Sequence, residues 1–355
     1  MNPAQPLGTL WLSFAKDRPK DDLAAASSLS GVAISGNVLW LAGDESQVLH
    51  ELRAKDNGCW GDHRRYPLSE LFPGQLVDDD DDEADLEGLA VDDGALWLVG
   101  SHALRRSQPK PCGKASAPRE ALGLKSSQPN RVLLGRIEIA ANGPDLVTGS
   151  ARCLPITDGG TMLTEALAKD DLLKPFLALP SKDNGLDIEG LAVRGKRLFL
   201  GLRGPVLRGW ALIIHARWAI DGDALTLEAG KDDRLYRLHA LDLGGLGIRD
   251  LATDPNSDDL WILAGPTMAL DGPMRVFRWP GGLSAKDEQC VGADRLEWCL
   301  DLPVGRMADH PEGIALMPEA KGIPRRLLVV YDTPATGRVA DDRHYQADLF
   351  RLPGS

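Results

Sequence analysis

The sequence predicts an all-β protein, a β-propeller of five blades, with six as the competing count. The first observation is the stretch 185–206, GLDIEGLAVRGKRLFLGLRGPV, where two apolar runs flank the turn Arg194-Gly195-Lys196 and read as a β-hairpin. The second is its recurrence at 85–102 (DLEGLAVDDGALWLVGSH), 248–265, 310–333 and, most degenerate, 29–45. A hairpin repeated at long period means one sheet per repeat. The third is that a helical pattern is confined to one segment, so little of the chain competes with strands.

Taken in order, residues 8–14 (GTLWLSF) read as a strand without a hairpin partner. The first repeat follows, with a hairpin at 31–42, a third strand at 48–52 and a fourth expected at 66–72. Residues 78–83 are six consecutive acids, which read as a solvated loop or as a rim that attracts cations. The second repeat starts at Asp85, and its third strand, 132–139, comes only after a long connection. That connection, 101–129, is basic, with Arg105, Arg106, Lys110, Lys114, Arg119 and Lys125 against Glu120. A fourth strand near 145–155 precedes a second insertion, 156–184, whose apolar stripe predicts a helix over about 161–178 that Pro175 breaks.

The third repeat continues through 210–215 and 236–241, the fourth through 274–279 and 296–300. The fifth hairpin, 313–331, has a third strand at 348–352 and no fourth, so 8–14 fills the vacancy and closes the ring by pairing the two ends of the chain. Matching positions near 30, 87, 189, 250 and 312 are about 60 residues apart except from 87 to 189, which holds both insertions. Residues 1–355 therefore read as one propeller domain, since a closed ring cannot be divided without exposing sheet faces.

In such a blade the start of the first strand and the end of the second lie on one face. Aligning the hairpins on their acids puts Glu87, Glu189, Asp250 and Glu312 at equivalent positions near a channel mouth, with Asp85 and Asp187 two places earlier. Both insertions are expected to open onto this face, where loops on a rigid scaffold carry function. Converging carboxylates need compensation. A hard divalent cation, Ca²⁺ or Mg²⁺, would supply it and take all six acids as candidate ligands. Alternatively Arg203, Arg208, Arg306 and the basic loop with Arg105 and Arg106 supply it and bind an anionic substrate; otherwise each acid merely caps its blade. His102 and His310 flank the mouth as candidate acid–base groups beside Arg203. His215 and His239 lie inside strand patterns and read as structural, as do Trp40, Trp97, Phe199 and Trp261 of the second strands.

A net charge of −12 argues against a nucleic-acid partner. No apolar run approaches the roughly 18 residues that span a bilayer, and the first residues lack a signal-peptide pattern. Five scattered cysteines without a CxxC predict a reduced, cytoplasmic chain with no disulfide framework or zinc site. There is no G-x-S-x-G, Walker or dinucleotide-binding motif.

The stretch 175–211, with GSH at 100–102 and HPEGIA at 310–315, resembles the bacterial DUF3616 family, an uncharacterised propeller-like group, over most of the chain. The EGLA hairpins are also similar to those of phytase-like and strictosidine-synthase or gluconolactonase-like propellers. That local resemblance implies a divalent cation at the channel mouth and ester hydrolysis, though the repeated DDPA-type signature of the alkaline phytases is missing. The resulting expectation is a metal-assisted phosphoester or ester hydrolase acting on an anionic small molecule. The alternative is a non-catalytic propeller that binds a ligand or a partner protein.

Overall fold

The computed structural model describes residues 3–15, 28–44, 46–56, 58–77, 84–106, 119, 122–123, 128–143, 145–158, 160–268, 271–305, 308–319, 323–341 and 343–353. The chain opens with β1 (Gly8–Ser13) and then builds four-stranded units. The first unit is β2 (Leu29–Ser35), β3 (Val38–Gly43), β4 (Val48–Ala54) and β5 (Trp60–Pro67). The second is β6 (Leu86–Asp92), β7 (Ala95–Gly100), β8 (Leu134–Glu138) and the short β9 (Arg152–Cys153). The third contains β10 (Asp187–Arg194), β11 (Arg197–Gly204), β12 (Ala211–Asp221) and β14 (Tyr236–Leu241), with β13 (Ala224–Leu227) folded back on β12. The fourth is β15 (Gly247–Thr253), β16 (Leu260–Gly265), β17 (Met274–Trp279) and β19 (Glu297–Leu302); β18 (Gln289–Val291) leaves it to pair with β14 in parallel. The last is β20 (His310–Leu316), β21 (Arg326–Asp332) and β22 (His344–Arg351), completed by β1.

The innermost strands meet in the order β2, β6, β10, β15, β20 and back to β2, which makes the arrangement a closed propeller. The two ends of the chain pair as expected, antiparallel from Gly8↔Leu349 to Ser13↔His344. A parallel contact of Leu12 with Trp60 joins β1 to β5, so the first and last units form one continuous sheet.

One cross-strand pair recurs and fills the wedges between units. Ala33 faces Trp40, Ala90 faces Trp97, Ala192 faces Phe199 and Ala252 faces Trp261; in the last unit Ala315 faces Leu328. The small residue on the inner strand leaves room for the large one beside it, and all four aromatic rings are essentially buried. Each packs with apolar residues of the following unit, as Trp40 does with Leu86 and Leu89. Stripping one such ring would cost roughly 3–5 kcal/mol.

The helix is shorter than its apolar stripe suggests. α1 (Met162–Lys169) starts at a capping box of Thr161 and Thr164 and stops before Pro175. It stops because Asp170 turns its carboxylate onto the amides of Leu172 and Leu173, at 2.8 and 3.3 Å, and begins a new turn. Residues 66–72 are likewise not one strand: β5 ends at Pro67 and a single helical turn, Leu68–Leu71, follows. Among the described residues no helix is long and apolar enough to cross a membrane.

His215 and His239 sit in a ring column, Phe199–His215–His239–Trp279, with successive centroids 4.5, 5.3 and 5.3 Å apart. Burial, with His239 as a neighbour, lowers His215 to about 3, and burial lowers His239 to about 4. An unfolded histidine protonates near 6.5, so the unfolded chain binds protons that the folded one refuses, and stability is lost as pH falls from about 6.5 toward 4. Thermal melts across that range should show a shallower loss for a His215→Phe/His239→Phe double variant than for the parent; equal slopes would remove the pair from the acid response. Removing residues 1–15 strips β1 from the ring and should abolish a cooperative thermal transition near the parent's. An unchanged melting temperature would contradict closure by the chain ends.

Candidate functional site

Each inner strand carries a β-bulge at the same place. The pairing skips Ser30 in β2, Glu87 in β6, Glu189 in β10, Arg249 in β15 and Glu312 in β20. A bulge re-aims its residue, so these five positions form the ring of side chains at the mouth. The next residue must let the neighbouring inner strand approach. A Cβ on Gly88 would lie 2.8 Å from the Cβ of Leu191, and one on Gly190 would lie 3.1 Å from the Leu251 amide.

This register corrects the fourth repeat. Arg249, not Asp250, is equivalent to Glu87, Glu189 and Glu312. Asp250 takes the place of the glycine, and its carboxylate bridges units by accepting from the Ile314 amide of β20 and from its own strand's Leu251 amide, both at 2.7 Å. Burial holds its carboxyl well above the usual range in spite of those donors. Aligning IRDLA with IEGLA on the shared Leu-Ala pair, rather than on the acid, carries this register in the sequence itself.

Around the ring, acids and arginines interlock. Glu189, 2% exposed, is held from both sides, by Arg203 at 2.9 Å and by the Nε of Arg249 at 3.0 Å. Arg249 also pairs with Glu312, and Arg203 reaches Asp187 at 3.6 Å and donates to the Thr267 carbonyl. Asp85 pairs with the buried Arg131, which sits in the long connection before β8. Arg131 and Arg249 were missed as site residues; nothing in the sequence around Arg131 marks it. Five carboxyl groups (Asp85, Glu87, Asp187, Glu189, Glu312) thus meet three guanidiniums, and the carboxylate of Asp44 adds to the excess of acid.

That excess shows in the proton affinities. Burial, then the carboxylates of Glu189, Asp85, Asp44 and Asp187, push Glu87 well above the usual range. Burial and Glu189, against Arg203, push Asp187 up to about 8. Burial lowers Arg249, with Arg203 adding to it; for Arg203 the same burial effect is outweighed by Glu189 and Asp187, and it is raised. Glu87, like Glu312, is partly exposed, and it has no hydrogen bond or ion pair to any described residue.

His102 lies in the turn after β7 with a left-handed backbone, φ 56°, and its Nδ1 is 2.8 Å from the Gly100 carbonyl. That contact makes Nδ1 the protonated nitrogen and leaves Nε2 a buried acceptor without a partner. Burial lowers its pKa to about 4, so the ring is neutral at pH 7. His310, at the start of β20, is 40% exposed in its side chain, 4.0 Å from Asp271. Arg208 is exposed in the turn between β11 and β12. Arg105 is half-buried after β7, and Arg106 pairs with Asp183 at 2.5 Å. Arg306, Lys110, Lys114, Lys125 and the acidic run 78–83 lie outside the described residues.

The two insertions meet on this face: Leu104 bridges Pro180, and the Ser101 carbonyl receives the Ile188 amide. α1 itself lies lower, against β13 on the flank of the third unit, so only the return of its segment reaches the mouth. A divalent cation does not fit the acids as placed. Both oxygens of Glu189 face guanidiniums, Glu312 and Asp85 each have one, and Asp250 holds backbone amides. Among the described residues no three carboxylate, histidine or cysteine side chains are grouped to hold one metal ion.

The family pattern for proteins of unknown function DUF3616 matches residues 28–348. The chain belongs to that family. The comparison with curated proteins gave no match. Among solved structures, the DUF3616 chain is similar to the glutaminyl cyclase of Myxococcus xanthus, at 11% identity over 98% of this chain and 97% of that one, TM-score 0.42. It is also similar to the PQQ-bound aldose sugar dehydrogenase of Streptomyces coelicolor, at 14% identity over 98% of both chains, TM-score 0.40. A third is regucalcin, a calcium-binding protein from Agrobacterium tumefaciens, at 12% identity over 94% of both chains, TM-score 0.39. Likeness at this level says nothing about chemistry.

Glu189→Gln should destabilise the protein by about 3–5 kcal/mol, because it leaves two buried guanidiniums short of a partner. Added Ca²⁺ or chelator should not change that loss; a metal-dependent loss would restore the cation reading. Asp250→Gly should keep the ring closed, as glycine does in the other inner strands, and cost about 1–3 kcal/mol for the orphaned Ile314 amide.

Proposed function

We propose that the channel mouth is a metal-independent acid–base site that hydrolyses a small polar ester or phosphoester. The observation that carries this reading is Glu87, a carboxyl without a cationic partner among the described residues, facing the channel beside the doubly paired Glu189. Carboxyls of one site held in different environments mark acid and electrostatic roles. Glu87, whose proton affinity burial and the neighbouring carboxylates raise, would donate its proton to the leaving-group oxygen. His102, neutral with a free lone pair on Nε2, would take the proton from the attacking water. Asp187 shares the cluster's second proton, and the exposed Arg208 is a cation available on the same face to an anionic group of the substrate.

The competing reading is a binding propeller without catalysis. It is favoured by exposed apolar side chains on loops of the same face, Val77, Leu122, Leu179, Met268 and Val304, which suit a partner protein.

A panel of nitrophenyl esters and phosphoesters, assayed with and without chelator, separates these readings. The expected result is a chelator-resistant activity that Glu87→Gln lowers at least roughly hundredfold in kcat while the melting temperature holds. Chelator-sensitive turnover would return the site to a cation. A dead panel, with a partner lost on substituting Leu179 or Met268, would make the protein a binding module. The pH dependence has a defined sign: Asp187 keeps its proton to about 8 in the folded chain but loses it near 4 in the unfolded one, so stability falls as pH rises between these values. Asp187→Asn should flatten that slope in thermal melts, and an unaltered slope would remove Asp187 from the shared-proton scheme.

A further inference from the structure

Away from the mouth, a groove of about 740 Å³ opens on the flank of the third unit, between α1 with its exit turn and the outer edge of β14. Its volume is within the range of ligand sites, roughly 300–1,000 Å³. Three of its features are independent of one another. The floor is apolar: Met162 and Ala166 of α1, Leu235, and Leu172, which is 50% exposed. The walls are acidic, with Glu165, Asp170, Asp171, Asp233 and Glu288 against Lys169 and Arg234. Among these, Glu165, Asp171 and Asp233 have no side-chain hydrogen bond or ion pair to any described residue, whereas Asp145, Asp62 and Asp183 elsewhere on the surface are each paired.

The third feature is the backbone. β14 is the outermost long strand of its unit, and β18 pairs only with residues 239–241. Below that, the Leu238 amide points into the groove and is met by the Glu288 side chain at 3.0 Å rather than by another strand. An open strand edge is a template for an added strand.

We propose that this groove binds an extended peptide segment of a partner protein, laid along residues 236–238 of β14, that alternates apolar and basic residues. The alternation follows from strand geometry: side chains on one side of an added strand reach the apolar floor, and those on the other meet the unpaired carboxylates. Lys or Arg is the complement because the walls hold three more acids than bases. The Glu288 carboxylate exchanges its contact with Leu238 for one with a basic side chain when the incoming carbonyl takes that amide.

The test is fluorescence anisotropy of the full chain with a labelled, N-acetylated hexapeptide of alternating leucine and lysine. Saturable binding is expected, weakened by salt and reduced roughly tenfold or more in Glu165→Gln/Asp171→Asn/Asp233→Asn. These exposed positions carry no contact on which folding depends, and melting of the variant checks this. Leu172→Asn should weaken binding without altering its salt dependence, and methylating alternate peptide nitrogens should weaken it through the backbone. Equal binding by the triple variant, or by a block peptide of the same composition, would overturn the proposal in favour of unspecific attraction to an acidic protein. Binding indifferent to nitrogen methylation would overturn the strand-addition geometry. None of these readouts involves Glu87 or His102, so failure of the mouth's proposed chemistry leaves the test unaffected.

Discussion

Five inner strands converging on one axis leave no space for ordinary cross-strand geometry, and the bulge at each of them is how the chain meets that constraint. The bulge sends one side chain toward the channel, and the glycine after it lets the adjacent strand come within backbone contact, as Gly190 does with Leu251. Wedge filling follows from the same geometry. Beyond the bulge the inner strand offers alanine, and the second strand answers with Trp40, Trp97, Phe199 or Trp261. The channel-facing ring and the packing between units are therefore two consequences of one short motif, glutamate–glycine–leucine–alanine. Its first residue sets the charge of the ring, and the later ones set the approach of neighbouring strands.

The fourth unit breaks the pattern, and the break is what makes the cluster electrostatically tolerable. With glutamate at every non-serine position of the ring, the buried acids would face Arg131 and Arg203 alone. Arg249 replaces one acid by a base and spans Glu189 and Glu312. The glycine it displaces in register becomes Asp250, which cannot approach as glycine does and instead ties β15 to β20 through the Ile314 amide. Moving two charges out of water is repaid only when geometry and hydrogen bonding are good. Glu189, hydrogen-bonded to Arg203 and within ion-pair distance of Arg249, comes nearest to that condition, whereas Glu87 has no such partner among the described residues and its proton affinity is raised by burial and by the neighbouring carboxylates.

Much of this was legible in the residues. The orphan strand 8–14 and the missing last strand predicted closure by the chain ends, because a sheet edge has to be filled. Glu87, Glu189 and Glu312 were legible because glycine follows each of them, which is a backbone signal as much as a chemical one. Asp250 misled because it was matched by charge; matched by Leu251-Ala252, the sequence points to Arg249. Arg131 was not legible at all, since it arrives from a connection whose path depends on tertiary contacts. The crossing of β18 to the third unit was missed for the same reason, and the early end of α1 depends on one side chain, Asp170, bonding to two amides.

Where a charged cluster sits decides what it can do. At the mouth, acids and arginines are buried together, and burial, followed by the unscreened charge of neighbouring carboxylates, raises the proton affinity of Glu87 and Asp187. On the flank, the unpaired carboxylates of Glu165, Asp171 and Asp233 face solvent, which screens them and leaves them able to attract a cationic group at little cost in stability. The same residue types thus serve opposite ends in one chain. Buried beside their counter-charges they store protons in a rigid ring, and exposed beside an apolar floor and an open strand edge they offer a surface that is complete only when something covers it.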